Sequence, residues 1–450
     1  MSRVVLALLA WALCSGSALA ASEIRLWHSF AGARGVALES LVARFNGSQS
    51  AIRVVPAYKG DREATLRAAL AARKSRRGPQ IVQIEDVATA DALSAKGAVR
   101  PLWQVMSEAG LGLDAKGYSY VPAVASYYSD ASGRLLALPL ENSTPILYYN
   151  RDAFRRAGLD PDRPPRTWDE MLPVIEALVG AGGRCPFTTS SPSWILVENM
   201  SAWHNEEVAT LGNGFEGPQT ELTLNRGLSM RIVSRLSTWA KAGYFSYSGR
   251  RAEGEARFAG GECALLTASS ASYADLRKAA KFDFGVAQFP YYDDYLAAPQ
   301  NTLVGGSGLW IMAGARRQEA RDAAKFIAFL LRPEVQQEWH QRTGYVPLVT
   351  AAYDRSKKQG FYRANPGYEI AIRQLLFRPP TRDTRGIRLG HFTRIRAILD
   401  EELEAVWRGK KAPISALNTA VKRGNAVLKE FVRAQRGHES RAAAEGAVLR

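Results

Sequence analysis

The chain has 450 residues, 46% of them apolar and 23% charged, with a formal net charge of +16. That length accommodates two domains of ordinary size, and the composition is that of a globular chain. No run of 18 or more apolar residues is present, which excludes a spanning helix; the Lys and Arg are spread over helices without interleaved aromatics, which leaves a solvated surface rather than a nucleic-acid motif.

The N-terminus opens with Arg3, an apolar core from Val4 to Leu13, and the small-x-small pattern Ala18, Leu19, Ala20. This pattern predicts a signal peptide over 1–20, cleavage after Ala20 and export. Cys14 follows Leu13, which is too large for a lipidation box. Strands are expected at Ile24–His28, Ile52–Tyr58 and Gln80–Ile84. Val36, Leu38, Leu41, Val42 and Phe45 recur at helical spacing between the first two, and Ala64–Ala72 forms a second helix. Asp86 is expected to cap a helix running towards Lys96. The β-α-β-α-β order argues an α/β fold with a mostly parallel sheet.

The stretch Pro139–Phe154 begins polar, with Glu141, Asn142 and Ser143, and becomes the apolar run Ile146–Tyr149. A polar segment entering a buried strand suits a crossing between two α/β lobes, where Asn142, Ser143 and Thr144 would face a ligand. A surface loop before a core strand explains the same residues. Thr167 with Glu170 is a capping box that starts a helix. Further helices are read at Trp194–Trp203, Ser229–Gly243, Ala271–Ala280, Gln318–Leu331, Ile395–Trp407 and Ile414–Phe431, and strands at Cys263–Ala268 and Asp283–Gln288. The Gly-rich run Asn301–Ile311 and the segment Gly344–Pro347 suit a second and a third crossing. The polar, alanine-rich tail over 435–450 lacks apolar periodicity and is expected to be disordered. After export two cysteines remain, Cys185 and Cys263. The sequence leaves open whether they form a disulfide or stay as two buried thiols, because a bridge requires adjacent strands.

WHSF at the first strand, PRTWDEM, FAGGECALLTASS, GGSGLWIM and RPEVQQEWHQRTGYVP together carry a resemblance. The chain resembles the extracytoplasmic solute-binding proteins of ABC importers, the maltose-binding-like class. NSTPILYYN, AWHN, SYSGR and RLGHFTRIRAILDEELEAVW are similar to the sn-glycerol-3-phosphate branch of that class. The resemblance covers about Glu23 to Val432 and implies a type II two-lobed periplasmic-binding-protein fold, each lobe a mixed sheet flanked by helices. Three crossings would divide it into lobe 1 (21–142 with 303–347) and lobe 2 (143–302 with 348–434). It further implies a monomer in the periplasm that delivers a phosphate ester to a permease pair with a cytoplasmic ATPase, without cofactor, metal, nucleic acid or membrane insertion.

The ligand set carried over from the branch is Arg62, Asp86, Ser143, Trp194, Ser269, Gly306, Tyr345 and Arg396. Thr267–Ser272, TASSAS, precedes a helix, so its N–H groups and hydroxyls suit either an anion or an ordinary cap. Arg396 is the cation implied for the phosphate, since a guanidinium fits phosphate oxygens bidentately. Three positions depart from the branch. Arg62 stands where it has a tyrosine, Asp86 where it has a glutamate, with Glu85 adjacent, and Ser191 where it has an aromatic. These departures imply a roomier pocket that admits glycerophosphodiesters such as glycerophosphocholine. No Walker A loop, HExxH or GxSxG elbow is present, so no catalytic residue is assigned. The rival readings are a binding protein for a neutral oligosaccharide and an exported phosphodiesterase.

Overall fold

The computed structural model describes residues 21–448, apart from 74, 76, 96, 114–117 and 297. The signal peptide with its cleavage after Ala20, Cys14, and the expected helix end at Lys96 lie outside the described residues.

Two sheets organise the chain. The first begins with β1 (Ser22–His28), α1 (Gly32–Gly47), β2 (Ile52–Tyr58), α2 (Arg62–Ala72), β3 (Ile81–Glu85) and β4 (Val99–Arg100). β1 pairs in parallel with both β2 and β3, as the βαβ reading requires. Along β1 alternate residues Ile24, Leu26 and His28 are buried, while α1 covers the sheet with Leu38, Leu41, Val42 and Phe45. β5 (Leu138–Ser143) closes this half, and Thr144 alone separates it from β6 (Pro145–Asn150). Both strands are buried at every position, so both faces are covered. β6 belongs to the second sheet, so this stretch is a crossing and not a surface loop.

The second sheet continues with α3 (Trp168–Gly180), β7 (Cys185–Thr189), α4 (Glu253–Ala259), β8 (Cys263–Ser269) and β9 (Phe284–Ala287). Its order is β7-β8-β6-β9, with β7 and β8 parallel and β6 antiparallel to both neighbours. The expected capping box starts α3, with Thr167 accepting from Glu170 N. Cys185 and Cys263 face each other in register on β7 and β8 and are joined by a disulfide, with Cα atoms 4.5 Å apart.

β10 (Gly305–Met312) returns the chain to the first sheet, antiparallel to β3, β4 and β5, giving the order β2-β1-β3-β10-β4 with β5 against β10. α5 (Arg317–Leu330) packs on β1, and α6 (Pro333–Thr343) on α1. Gly344, in the left-handed conformation, ends α6 and turns the chain into Tyr345. α7 (Phe392–Trp407) and α8 (Pro413–Val448) finish the fold.

Two expectations need correction. Asp86 does not cap a helix: it is the first residue of the helical turn Asp86–Ala88, with Glu85 before it and no side-chain cap bond. The tail expected to be disordered from 435 continues α8 to Val448. Ala, Glu and Arg are strong helix formers, and propagating an established helix costs little compared with nucleating one. Among the described residues no helix is long and apolar enough to cross a membrane.

Candidate functional site

The C-terminal end of β3, the β5–β6 crossing and the start of β10 meet at one place, and four of the predicted residues, Arg62, Asp86, Tyr345 and Arg396, sit in two charged clusters.

The first cluster belongs to the first sheet. Glu141 on β5 is buried and accepts four hydrogen bonds. Its Oε1 takes Arg62 Nη2 at 2.5 Å and the Tyr345 hydroxyl at 2.6 Å. Its Oε2 takes Ser307 Oγ at 2.7 Å and Gln83 Nε2 at 3.1 Å. Burial alone would raise the Glu141 carboxyl, but Arg62, Tyr345 and Ser307 outweigh it and hold the group below its ordinary range. Arg62 also donates Nη1 to Glu85 at 2.8 Å. Burial opposes its charge, and Glu141 and Glu85 more than restore it. Tyr345 is buried against Trp339, and Arg34 lies over its ring.

The second cluster joins the two lobes. Arg396 on α7 donates Nε and Nη2 to Glu198 at 2.8 and 2.7 Å, a bidentate pair. Asp86, from the first sheet, is the other anion acting on Arg396. Asp86 is 4% exposed, and burial pushes its carboxyl up to about 7, with Arg396 pulling the other way. Asp400, one turn after Arg396, is lifted to about 6 by burial and accepts from Ser193 N at 3.3 Å. A second interlobe contact lies nearby, where His391 Nδ1 meets Asp91 Oδ1 at 2.8 Å.

The remaining predicted residues border these clusters. Gly306 has φ 139°, and a Cβ there would stand 1.8 Å from Glu141 O, so only glycine fits. The Trp194 indole lies against Gly305, where a Cβ would come within 2.7 Å of the ring. Ser143 Oγ donates to Gly305 O at 3.4 Å. Ser269 ends β8, and its Oγ accepts from Ala271 N at 3.2 Å as a cap. Ser191 sits at φ 42°, with its N–H on Arg251 O.

Sequence reasoning missed Glu141 as a site residue, and it missed Glu198. Each is a lone acid within an apolar run, LPLENS and WILVENM. A buried carboxylate in such a run demands a cation, and that was the available signal. Taken together the clusters set two guanidiniums, Arg62 and Arg396, among five carboxylates: Glu85, Asp86, Glu141, Glu198 and Asp400. Among the described residues no three His, Cys, Asp or Glu side chains converge to hold a metal ion.

Two sheets with crossings, and polar groups of both lobes converging between them, define a two-lobed binding protein of the maltose-binding-like class. The chain belongs to the bacterial extracellular solute-binding protein family, whose pattern matches residues 40–369. It is 46% identical to the sn-glycerol-3-phosphate-binding periplasmic protein UgpB of Yersinia enterocolitica, over 93% of this chain and 94% of that one. It is 45% identical to the protein of the same name from Pectobacterium atrosepticum, over 95% and 96%. Among solved structures it is similar to UgpB from Mycobacterium tuberculosis in complex with glycerophosphocholine, at a TM-score of 0.72 and 25% identity, covering 92% of this chain and 100% of that one. The cyclic alpha-maltosyl-1,6-maltose binding protein of Arthrobacter globiformis shares the fold at a TM-score of 0.75 and 20% identity, covering 91% and 100%.

Proposed function

We propose that this chain is the periplasmic solute-binding component of an ABC importer, and that it captures sn-glycerol 3-phosphate and glycerophosphodiesters such as glycerophosphocholine. One observation carries the reading. Arg396 of the second lobe is held rigid by Glu198, and the first lobe presents the buried Asp86 to the same place. A phosphate ester of glycerol needs N–H and O–H donors at one end, here the guanidinium N–H groups that Glu198 does not take together with serine hydroxyls, and an acceptor for hydroxyls at the other. Arg396, with Ser269 and Ser143, serves the phosphate, and Asp86 serves the glycerol. Trp194, Gly306 and Tyr345 shape the walls, while Arg62 and Glu85 hold the rim. The relatives named for sn-glycerol 3-phosphate, and the related structure holding glycerophosphocholine, support this assignment.

Binding draws contacts from both lobes, so the ligand favours the closed arrangement by its differential affinity. The protein works as an exported monomer, divided at the three crossings, and hands its ligand to an inner-membrane permease pair driven by a cytoplasmic ATPase. It returns the ligand chemically unchanged.

Isothermal titration tests the reading with sn-glycerol 3-phosphate, glycerophosphocholine and maltose as control. Binding of either phosphate ester, lost in Arg396→Ala, is expected. Tight maltose binding without phosphate-ester binding would overturn it.

A further inference from the structure

β7 and β8 run parallel, with Thr189 opposite Thr267, and β7 ends at Thr189 and β8 at Ser269. Ligands of open α/β sheets sit beyond such carboxyl ends. The chain leaving β7 is Ser190, Ser191, Pro192, Ser193, and the chain leaving β8 is Ser270, Ala271, Ser272. Glu255, on the first turn of α4, bridges the two. Ser190 Oγ donates to its Oε2, and Ser272 Oγ donates to its Oε1 at 3.1 Å. Among the described residues no cation pairs with Glu255, whereas Asp169, Glu198, Glu262 and Glu404 each pair with an arginine. Burial raises the Glu255 carboxyl, and the two hydroxyls only partly offset that. The proposed ligand contacts flank it: Ser191 adjoins Ser190, Ser269 precedes the Ser270–Ser272 turn, and Ser193 leads through Asp400 to Arg396. A half-buried carboxylate without a cation, beside a phosphate position, is complementary to a positive group attached to that phosphate.

We infer that Glu255 and Ser191 form a head-group subsite that selects glycerophosphodiesters whose alcohol is cationic, such as choline or ethanolamine. The inference rests on the proposed function. Ser191 provides the room and Glu255 the charge. The excess of carboxylates over guanidiniums in the neighbouring site works in the same direction, because a zwitterionic diester brings less negative charge than a dianionic monoester.

The test is isothermal titration of the purified protein with glycerophosphocholine, glycerophosphoethanolamine, glycerophosphoglycerol and sn-glycerol 3-phosphate. Glycerophosphoglycerol is also a phosphodiester monoanion, but its head is uncharged. Wild type is expected to bind the two cationic diesters about tenfold more tightly than glycerophosphoglycerol, the effect of one partly desolvated ion pair. Glu255→Gln, which keeps both serine contacts in place, is expected to abolish that ratio and leave glycerophosphoglycerol binding intact, which also reports that the variant is folded. Ser191→Trp is expected to weaken all three diesters more than the monoester. An unchanged choline-to-glycerol ratio in Glu255→Gln, or an equal loss of all four ligands, would overturn the subsite and leave the transport reading standing. Failure of wild type to bind any of the four would sink the transport reading itself.

Discussion

Arg62 and Glu141 are 79 residues apart in the chain and meet at 2.5 Å, Nη2 to Oε1. Where the branch resembled by this chain carries a tyrosine, the guanidinium brings its own counter-ion. Its charge is therefore paired with Glu141 and Glu85, and Glu141 links it to Tyr345. Arg62→Ala would leave Glu141 buried with no cation. Glu141 is 6% exposed at its side chain but Arg62 is 39% exposed. The cost should fall below that of a fully buried pair, at about 2 kcal/mol of unfolding free energy. Arg62→Ala combined with Glu141→Gln should recover most of it in urea denaturation, because the stranded charge is then gone. A double variant no more stable than the single one would refute this role.

Asp86 gives a pH signature of defined sign. Its folded carboxyl lies near 7 and its unfolded one near the ordinary value, so the folded state holds a proton that the unfolded state releases. That contribution to stability is full below about pH 4 and is lost as pH rises through 7. His28, His204 and His340 act oppositely, since burial holds each near 4 and their contribution is lost as pH falls from 6.5. Comparison with Asp86→Asn cancels the histidines. The stability of wild type relative to Asp86→Asn is expected to fall by on the order of 2 kcal/mol between pH 5 and 8. A difference that stays flat with pH would show that Asp86 is ionised throughout.

The lobed architecture was legible because its signals are local. Pro139–Phe154 shows its polar-to-apolar change within 16 residues, and Thr167 with Glu170 announces a helix within four. Within the candidate site, Arg396 and the serines after β8 entered only through the resemblance, since a lone arginine reads as a surface charge and TASSAS reads as an ordinary cap. The missed ones are defined by partners distant in sequence. Glu198 is 198 residues from Arg396, and Glu255 lies 65 residues from Ser190. No spacing rule connects such pairs; only the sheet order does. The tail was misread for a different reason. Its helix extends a packed one, so it needed no apolar face of its own for the backbone to continue.

Gly306 separates a steric requirement from a merely conformational one. Its φ of 139° disfavours any side chain, and a Cβ would also strike the Glu141 carbonyl oxygen at 1.8 Å. Gly409 has φ 70° and open space where a methyl group would stand. Gly409→Ala is therefore expected to cost about 1 kcal/mol, the backbone term alone. Gly306→Ala is expected to cost about 3 kcal/mol or more, because β10 must shift against β5. It should also weaken ligand binding, since Glu141 anchors Arg62 and Tyr345. Equal costs in chemical denaturation would mean that β10 yields freely and does not hold the wall.

The Cys185–Cys263 bridge spans 78 residues of sequence and ties β7 to β8 within the second sheet. Closing a loop of that length removes unfolded-state entropy worth about 4 kcal/mol. Both cysteines are buried in register as the first residues of their strands, while Ser190, Ser191 and Ser269 lie at the opposite ends. Reduction is expected to lower stability by roughly that amount and to loosen the bridged start of the two strands first, because the serine-bearing ends are held by the ladder between them. Hydrogen exchange of the paired Cys185→Ser, Cys263→Ser variant should then show faster exchange at Cys185–Phe187 and Cys263–Leu265 than at β1 or β3. Uniform acceleration across both sheets would instead mean that the two lobes unfold as one unit, and that the bridge stabilises the whole chain rather than the bridged end of the second sheet.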